Sequence, residues 1–210
     1  LRCDVINLGR HAEVEYTDDW EADSRRRDFT MNALSLSPEG HLYDPYNGML
    51  DIAAGHVKFV GNASRRIHED YLRLLRFFRF HAYFGKGEPD IEAIDACRLS
   101  AEHLHKLSPE RIRDEFIKLI KAPNPIPTIN IMVNCEILYQ IIPEVNNTKL
   151  LGKLLRINHS NTDDWLLRLA SLLLGSELNV TSINISDRWR FSSKDSKRLT
   201  CLLAKHYTLE

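Results

Sequence analysis

No run of apolar side chains in this 210-residue chain approaches the roughly 20 that a membrane span requires. The four cysteines, Cys3, Cys97, Cys135 and Cys201, lie far apart and form no Cys-x-x-Cys pair. That disfavours a zinc knuckle or a disulfide framework, and reduced thiols in the cytoplasm are expected. An excess of charge is lacking too. The net charge of −1 supplies no global field to draw in nucleic acid, so any such contact must rest on a local basic patch. There is no fixed-period repeat and no low-complexity tract. The chain opens on Leu1 rather than methionine, with a strand-like segment under way and none of the character of a signal peptide, so a fragment of a longer protein is expected. What is present, 43% hydrophobic and 27% charged residues, suffices for real cores in one large domain or two to three modules.

Residues 1–61 read as strand and loop. Ala12-Glu13-Val14-Glu15-Tyr16-Thr17 alternates with the period of a half-buried strand. Met31 to Leu36, then Ser37-Pro38-Glu39-Gly40-His41, then Leu42-Tyr43 suggests a hairpin, and Asp44-Pro45-Tyr46-Asn47-Gly48 a further turn. Val57 to Gly61 reads as a short strand. From Asn62 onward the pattern is helical. Asn62 or Ser64 caps a helix, a stretch from Glu69 to Phe84 stops at Gly85, and another helix starts at Glu88-Pro89-Asp90. Ser108-Pro109-Glu110-Arg111 has the capping signature of a helix start. The proline-dense Ala122–Pro127 stretch reads as a module boundary, and short apolar helices follow it.

On the Glu69–Phe84 helix, Tyr71, Leu75, Phe78 and Ala82 form one apolar stripe and Phe77, Phe80 and Phe84 a second. Arg73, Arg76 and Arg79 step between the stripes, as if lining a groove. Asp70 and Arg73 are neighbours at i,i+3 spacing. A carboxylate only accepts hydrogen bonds and a guanidinium only donates them. Cytosine and adenine each present an amino donor beside a ring-nitrogen acceptor, so Asp70 with Arg73 complements both. Uracil and guanine present the reverse order. Arg76 and Arg79 would then be placed for a triphosphate. The plainer alternative is a surface ion pair worth about 0.3–0.5 kcal/mol. His68-Glu69 does not begin a zinc-protease motif, because position 72 is Leu.

Arg25-Arg26-Arg27-Asp28 precedes the apolar Phe29–Leu34 run. Arg27 suits phosphate oxygens and Asp28 a sugar hydroxyl, while a solvated basic turn explains the same residues without a ligand. His103 and His105 are not spaced as a ligand pair on a helix. Arg188, Arg190, Lys194, Lys197 and Arg198 form a basic cluster able to meet an RNA backbone or simply to be solvated. Trp165, Trp189 and Leu166–Leu174 read as core.

Together these stretches resemble the bacterial and mitochondrial branch of the tRNA nucleotidyltransferase (CCA-adding enzyme) and poly(A) polymerase family. The matching motifs are Arg-Arg-Asp-Phe-Thr-x-Asn-Ala at 26–33, Asp44-Pro-Tyr-Asn-Gly48-x-x-Asp51, Glu69-Asp70-x-x-Arg73-x-x-Arg76-x-x-Arg79-Phe80, and Ser108-x-Glu110-Arg111-Ile112-x-x-Glu115. Gly9–Val14 resembles the segment before the arginine run. By that resemblance Arg27, Asp70, Arg73, Arg76 and Arg79 contact the incoming ATP or CTP, and Asp28 senses its ribose. Asp44, Gly48 and Asp51 match a hinge-like motif, although Asn47 departs from the usual Gly-Gly. Glu110 and Arg111 match a neck motif that supports the nucleotide-binding helix; a plain helix start accounts for them equally.

The resemblance implies Mg²⁺-dependent transfer to the 3′ end of tRNA or another RNA, with CTP and ATP as substrates. The family's metal-binding Gly-Gly…Arg-Asp…Asp-x-Asp segment has no counterpart here, since the chain contains no Asp-x-Asp. Asp18-Asp19 and Asp163-Asp164 are adjacent pairs that suit turns or helix caps. The expected fold is therefore α+β: a remnant of the head's sheet at 1–57, a helical neck at 58–121 and a truncated helical body at 122–210. Nucleotide and RNA binding are expected without catalytic residues or metal ligands in this chain. Three alternatives stand open: a truncated or decayed product, one half of a split enzyme needing a separate N-terminal half, and a non-catalytic helical RNA-binding module. The motifs are common to CCA, C-only, A-only and poly(A) synthesis.

Overall fold

The computed structural model describes residues 2–8, 11–16, 18–145, 148–157, 164–174 and 184–204, the strands at 2–8 and 11–16 by their backbone alone. It is an α+β fold that divides into two compact units, Leu1–His103 and Leu104–Glu210.

In the first unit, β1 (Arg2–Leu8) pairs antiparallel with β2 (His11–Tyr16), with a register shift between Asp4 and Ile6. Asp19 then caps α1 (Trp20–Arg25), its Oδ1 accepting from the amides of Glu21 and Ala22. The hairpin expected around Gly40 is present but short, with β3 (Ser35–Leu36) against β4 (Leu42–Tyr43). A 3₁₀ turn at Thr30–Asn32 replaces the start of its first strand. The strand expected at 57–61 is reduced to a single bridge between Phe59 and Phe29.

A helix not foreseen in the sequence, α2 (Gly48–Ala54), follows the Asp44–Gly48 turn. Its starting signal is displaced: Asp44 accepts from the amides of Gly48 and Met49 at 2.7 and 3.0 Å. Asn47 supplies the left-handed residue in between, with φ 57°, a conformation that Asn tolerates better than most. Met49, Leu50 and Ile52 are all exposed, so no apolar stripe marked the helix. Gly48 packs so close that a Cβ there would lie 2.4 Å from the Thr30 carbonyl oxygen, which leaves glycine as the residue that fits.

The helical stretch expected from Glu69 onward is two helices. α3 (Ala63–Glu69), capped by Asn62, ends at Asp70, whose backbone is extended at φ −156° and ψ 108°. α4 (Leu72–Phe84) begins immediately after. The Asp70 carboxylate accepts from the Leu72 amide at 3.1 Å, so it serves the start of α4 instead of sitting within a helix. Short acidic side chains favour that competition with the helical backbone. α5 (Ile91–Ser100), capped by Asp90, packs on α3. The core beneath these helices is aromatic. Phe29 lies 4.9 Å from both Phe59 and Phe80, centroid to centroid, and Phe59 stacks on Phe77 at 5.7 Å.

The second unit is helical: α6 (Pro109–Ile120), α7 (Ile126–Asn134), α8 (Lys149–Ile157), α9 (Trp165–Leu173), α10 (184–188) and α11 (Ser193–Ala204). Asp164 caps α9, while Asp163 lies outside the described residues. Phe116, Trp189 and Leu169 are buried in its core, in keeping with the core role expected for Trp189 and the leucine-rich run. Buried Arg168 donates to the carbonyls of Ile120 and Ala122, satisfying acceptors that the end of α6 leaves open.

Candidate functional site

The two motifs that suggested nucleotide recognition, 26–33 and 69–80, meet in the first unit. Three consecutive residues, Arg26, Arg27 and Asp28, are each gripped by an arginine from α3 or α4. Arg73 Nη2 donates to the Arg26 carbonyl at 3.3 Å, and Arg66 Nη2 donates to the Arg27 carbonyl. Arg76 Nε donates to Asp28 Oδ2 at 2.7 Å. Glu69 Oε2 accepts from both Arg66 and Arg73, the latter at 2.6 Å, and Arg73 also reaches the Arg66 carbonyl at 3.0 Å. On the other side of the run, buried Asp23 takes the side chains of Arg26 and Arg27, Arg27 Nη2 lying 2.7 Å from Oδ2.

Asp28 is 8% exposed and its second oxygen accepts from the Phe29 amide and the Asn32 side-chain amide at 3.0 and 2.9 Å. Burial alone pushes the Asp28 carboxyl up. The Arg76 charge, with hydrogen bonds from Asn32, Arg76 and the Phe29 amide, outweighs it and holds the group below the ordinary aspartate range. Arg66 is pulled below the ordinary arginine value, first by burial and then by the nearby charge of Arg73.

Asp70 and Arg73 flank the first turn of α4, both half-buried. Arg79 lies one turn beyond Arg76, its guanidinium carbon 4.4 Å from the centroid of the Phe80 ring. Thus Arg27, Asp28, Arg73 and Arg76 share one hydrogen-bonded cluster, with Asp70 at its edge and Arg79 beyond it. Chemically the assembly offers a carboxylate acceptor and guanidinium donors at the helix junction, next to a row of cations backed by carboxylates.

Two contributors, Asp23 and Arg66, are not singled out by the sequence, and a third, Glu69, enters there only as part of a motif. Asp23 lies three and four residues before Arg26 and Arg27, the spacing of helical ion pairs, within a run that the sequence equally fits to a turn. Arg66 and Glu69 are likewise three apart on α3, yet nothing local shows that Arg66 reaches a carbonyl 39 residues earlier.

The other expected residues sit elsewhere. Asp51 accepts from Thr30 Oγ1 at 2.7 Å and lies 3.6 Å from Lys58 Nζ, so Asp44, Gly48 and Asp51 together fix α2 against the 3₁₀ turn. In the second unit Glu110 accepts from Arg190 Nη1 at 2.7 Å, with Arg111 half-buried on the same turn of α6. Within the basic cluster Arg188 pairs with Glu144, Arg190 with Glu110 and Arg198 with Asp164, so much of its charge is already matched. His103 Nδ1 lies 4.0 Å from Glu102, and its ring meets Tyr71 edge-on at 4.9 Å. Among the described residues, no group of three or more His, Cys, Asp or Glu side chains is arranged to hold a metal ion. Among them, too, no helix is long and apolar enough to cross a membrane.

Residues 2–58 match a family model described as the poly A polymerase head domain, and residues 88–149 one described as a probable RNA and SrmB-binding site of polymerase A. Mitochondrial CCA tRNA nucleotidyltransferase 1 of Mus musculus is 34% identical over 209 residues, covering 98% of this chain and 47% of that protein. The CCA-adding enzyme of Streptococcus pyogenes serotype M1 is 38% identical over 140 residues, covering 66% of this chain and 34% of that protein. The crystal structure of Bacillus stearothermophilus CCA-adding enzyme in complex with CTP superposes with a TM-score of 0.72 at 25% identity, covering 91% of this chain and 48% of that one. The chain spans less than half the length of each of these proteins.

Proposed function

Because the chain belongs to the CCA-adding enzyme and poly(A) polymerase family of nucleotidyltransferases, we propose that it supplies nucleotide selection and RNA binding for template-independent transfer to an RNA 3′ end, with CTP and ATP as substrates. The observation that carries this is the interlocking of Arg26-Arg27-Asp28 with Arg66, Arg73 and Arg76, which brings a phosphate-binding run beside an acceptor–donor pair. In this proposal the Asp70 carboxylate accepts from the exocyclic amino group of cytosine or adenine. Arg73 donates to the adjacent ring nitrogen. Uracil and guanine set like groups against each other at both positions. Arg27, Arg76 and Arg79 neutralise the triphosphate, and Asp28 receives a ribose hydroxyl.

Asp44, Gly48 and Asp51 are proposed to act as a hinge by holding α2 against the segment that carries the arginine run. Glu110 and Arg111 are proposed to brace the neck. The proposed division is a head at 1–57, a neck at 58–121 and a body at 122–210, the last two meeting the tRNA. Support for RNA as partner comes from the match at 88–149 and from a solved relative, the Thermotoga maritima CCA-adding enzyme complexed with tRNA. The cytoplasm is the proposed compartment, on the pattern of scattered thiols. Mg²⁺ belongs to the proposed reaction.

In one form of this proposal a separate N-terminal half carries the metal-binding carboxylates. The test is to mix the chain with a candidate half and follow Mg²⁺-dependent labelling of tRNA by CTP and ATP. Labelling is expected from the mixture alone. RNA extension by this chain without a partner would contradict the proposed division of labour, and a silent mixture that still binds CTP would leave a binding module.

A further inference from the structure

Arg66 belongs to none of the positions that the resemblance assigns to nucleotide, yet it is one of the three arginines that join the two segments of the cluster. It is 8% exposed. One end of its guanidinium donates to Glu69 Oε2 and the other to the Arg27 carbonyl. Glu69 Oε2 also accepts from Arg73, which in turn donates to the Arg26 carbonyl. The arginine run is therefore suspended by its own backbone from the end of α3, beside the helix junction that bears Asp70 and Arg73.

This arrangement is a poor one for stability alone. The Nε of Arg66 is buried with no hydrogen-bond partner among the described residues. The guanidinium also lies close enough to Arg73 for the two charges to repel. An unmatched buried donor is costly, and apolar packing in its place is commonly neutral or better. What the guanidinium uniquely provides is a rigid two-ended link, planar and with donors at fixed separation.

We propose that Arg66 is a positioning residue that sets the distance between the two ends of the nucleotide site. The inference rests on the proposed nucleotide reading: Arg27 and Asp28 on the phosphate and ribose side, Asp70 and Arg73 on the base side. A nucleotide that spans both ends gains from their being held at the correct separation, because engaging one end makes the other intramolecular. A ligand that touches one end gains nothing from that separation.

The test compares CTP with two partial ligands, cytidine and inorganic tripolyphosphate, titrated against the whole chain and followed by ligand-observed NMR. Arg66→Met removes the donors while keeping much of the stem. It is expected to weaken CTP about tenfold or more, by the loosening of a two-point fit, while cytidine and tripolyphosphate change less than about twofold. Arg66→Lys keeps the charge toward Glu69 but cannot span both acceptors, so an intermediate loss for CTP is expected; it also serves if the Met variant fails to fold. Equal losses for CTP and tripolyphosphate, or an unchanged CTP affinity in a folded variant, would overturn the inference. Failure of the wild-type chain to bind CTP would overturn the nucleotide reading itself, a distinct outcome.

Discussion

Arg76→Ala is expected to lower the free energy of unfolding by about 3 kcal/mol, the low end for breaking a buried ion pair because Arg76 keeps some contact with water. The side chain of Asp28 is 9% exposed and that of Arg76 31%. Removing the guanidinium leaves a carboxylate that has lost its strongest partner and retains hydrogen bonds only from the Phe29 and Asn32 amides among those described. Denaturant unfolding at neutral pH measures the loss. Combining Arg76→Ala with Asp28→Asn should recover part of it, since the stranded charge is then gone. A purely solvated role for Arg76 would give a change within about 0.5 kcal/mol.

The same pair gives a pH dependence with a definite sign. In the folded chain the Asp28 carboxyl is held below its ordinary value, so it binds a proton less readily than in the unfolded chain. Its contribution to stability is fully present above the ordinary aspartate range and is lost as pH falls through the depressed folded value. In Arg76→Ala, burial is opposed by the remaining hydrogen bonds and the charge of Arg66. The acid loss from this group should shrink, or reverse in sign, because the folded state then binds the proton as readily as the unfolded one or more so. Unfolding curves of the two proteins between neutral and acidic pH should therefore converge as pH falls.

Asp70→Ala is expected to remove roughly 1–3 kcal/mol of discrimination at the base edge, the scale of a good bidentate contact to a base. CTP and ATP should lose affinity relative to UTP and GTP, narrowing their ratio by about tenfold or more. Stability should fall by about 0.5–2 kcal/mol, the scale of a lost side-chain bond at a helix start, because the Asp70 carboxylate accepts from the Leu72 amide at 3.1 Å. An unchanged ratio would take Asp70 out of base selection and leave it as an acceptor for the Leu72 amide at the start of α4.

Much of this site was legible in the sequence because its chemistry is carried by short motifs. The run at 26–33 and the arginines at 73, 76 and 79 could be found as strings of residue types. Their meeting could be inferred only from resemblance, since a bond from Arg76 to Asp28 spans 48 residues. The helix break at Asp70 was missed because apolar periodicity continues across it: Ile67, Leu74, Phe77 and Phe78 are all fully buried, and the competing signal was one acidic side chain. α2 was missed for the opposite reason, an exposed apolar face that no amphipathic pattern betrays. Arg66 is invisible as a site residue because its distant partner is a backbone carbonyl 39 residues earlier, whereas Asp23 does carry a linear signature, the i,i+3 and i,i+4 spacing of helical ion pairs, inside a run that also reads as a turn.

Central to all of this is the claim that the arginine run and the Asp70–Arg73 junction are two ends of one nucleotide site. The most direct measurement is an NMR titration of the isotope-labelled wild-type chain with each of the four ribonucleoside triphosphates. With CTP or ATP, the amides of residues 26–32 and 66–76 should shift together with a single apparent affinity, and with UTP or GTP only the phosphate-facing residues near 26–28 should respond, more weakly. Equal responses to all four nucleotides, or shifts confined to one of the two segments with CTP, would contradict it.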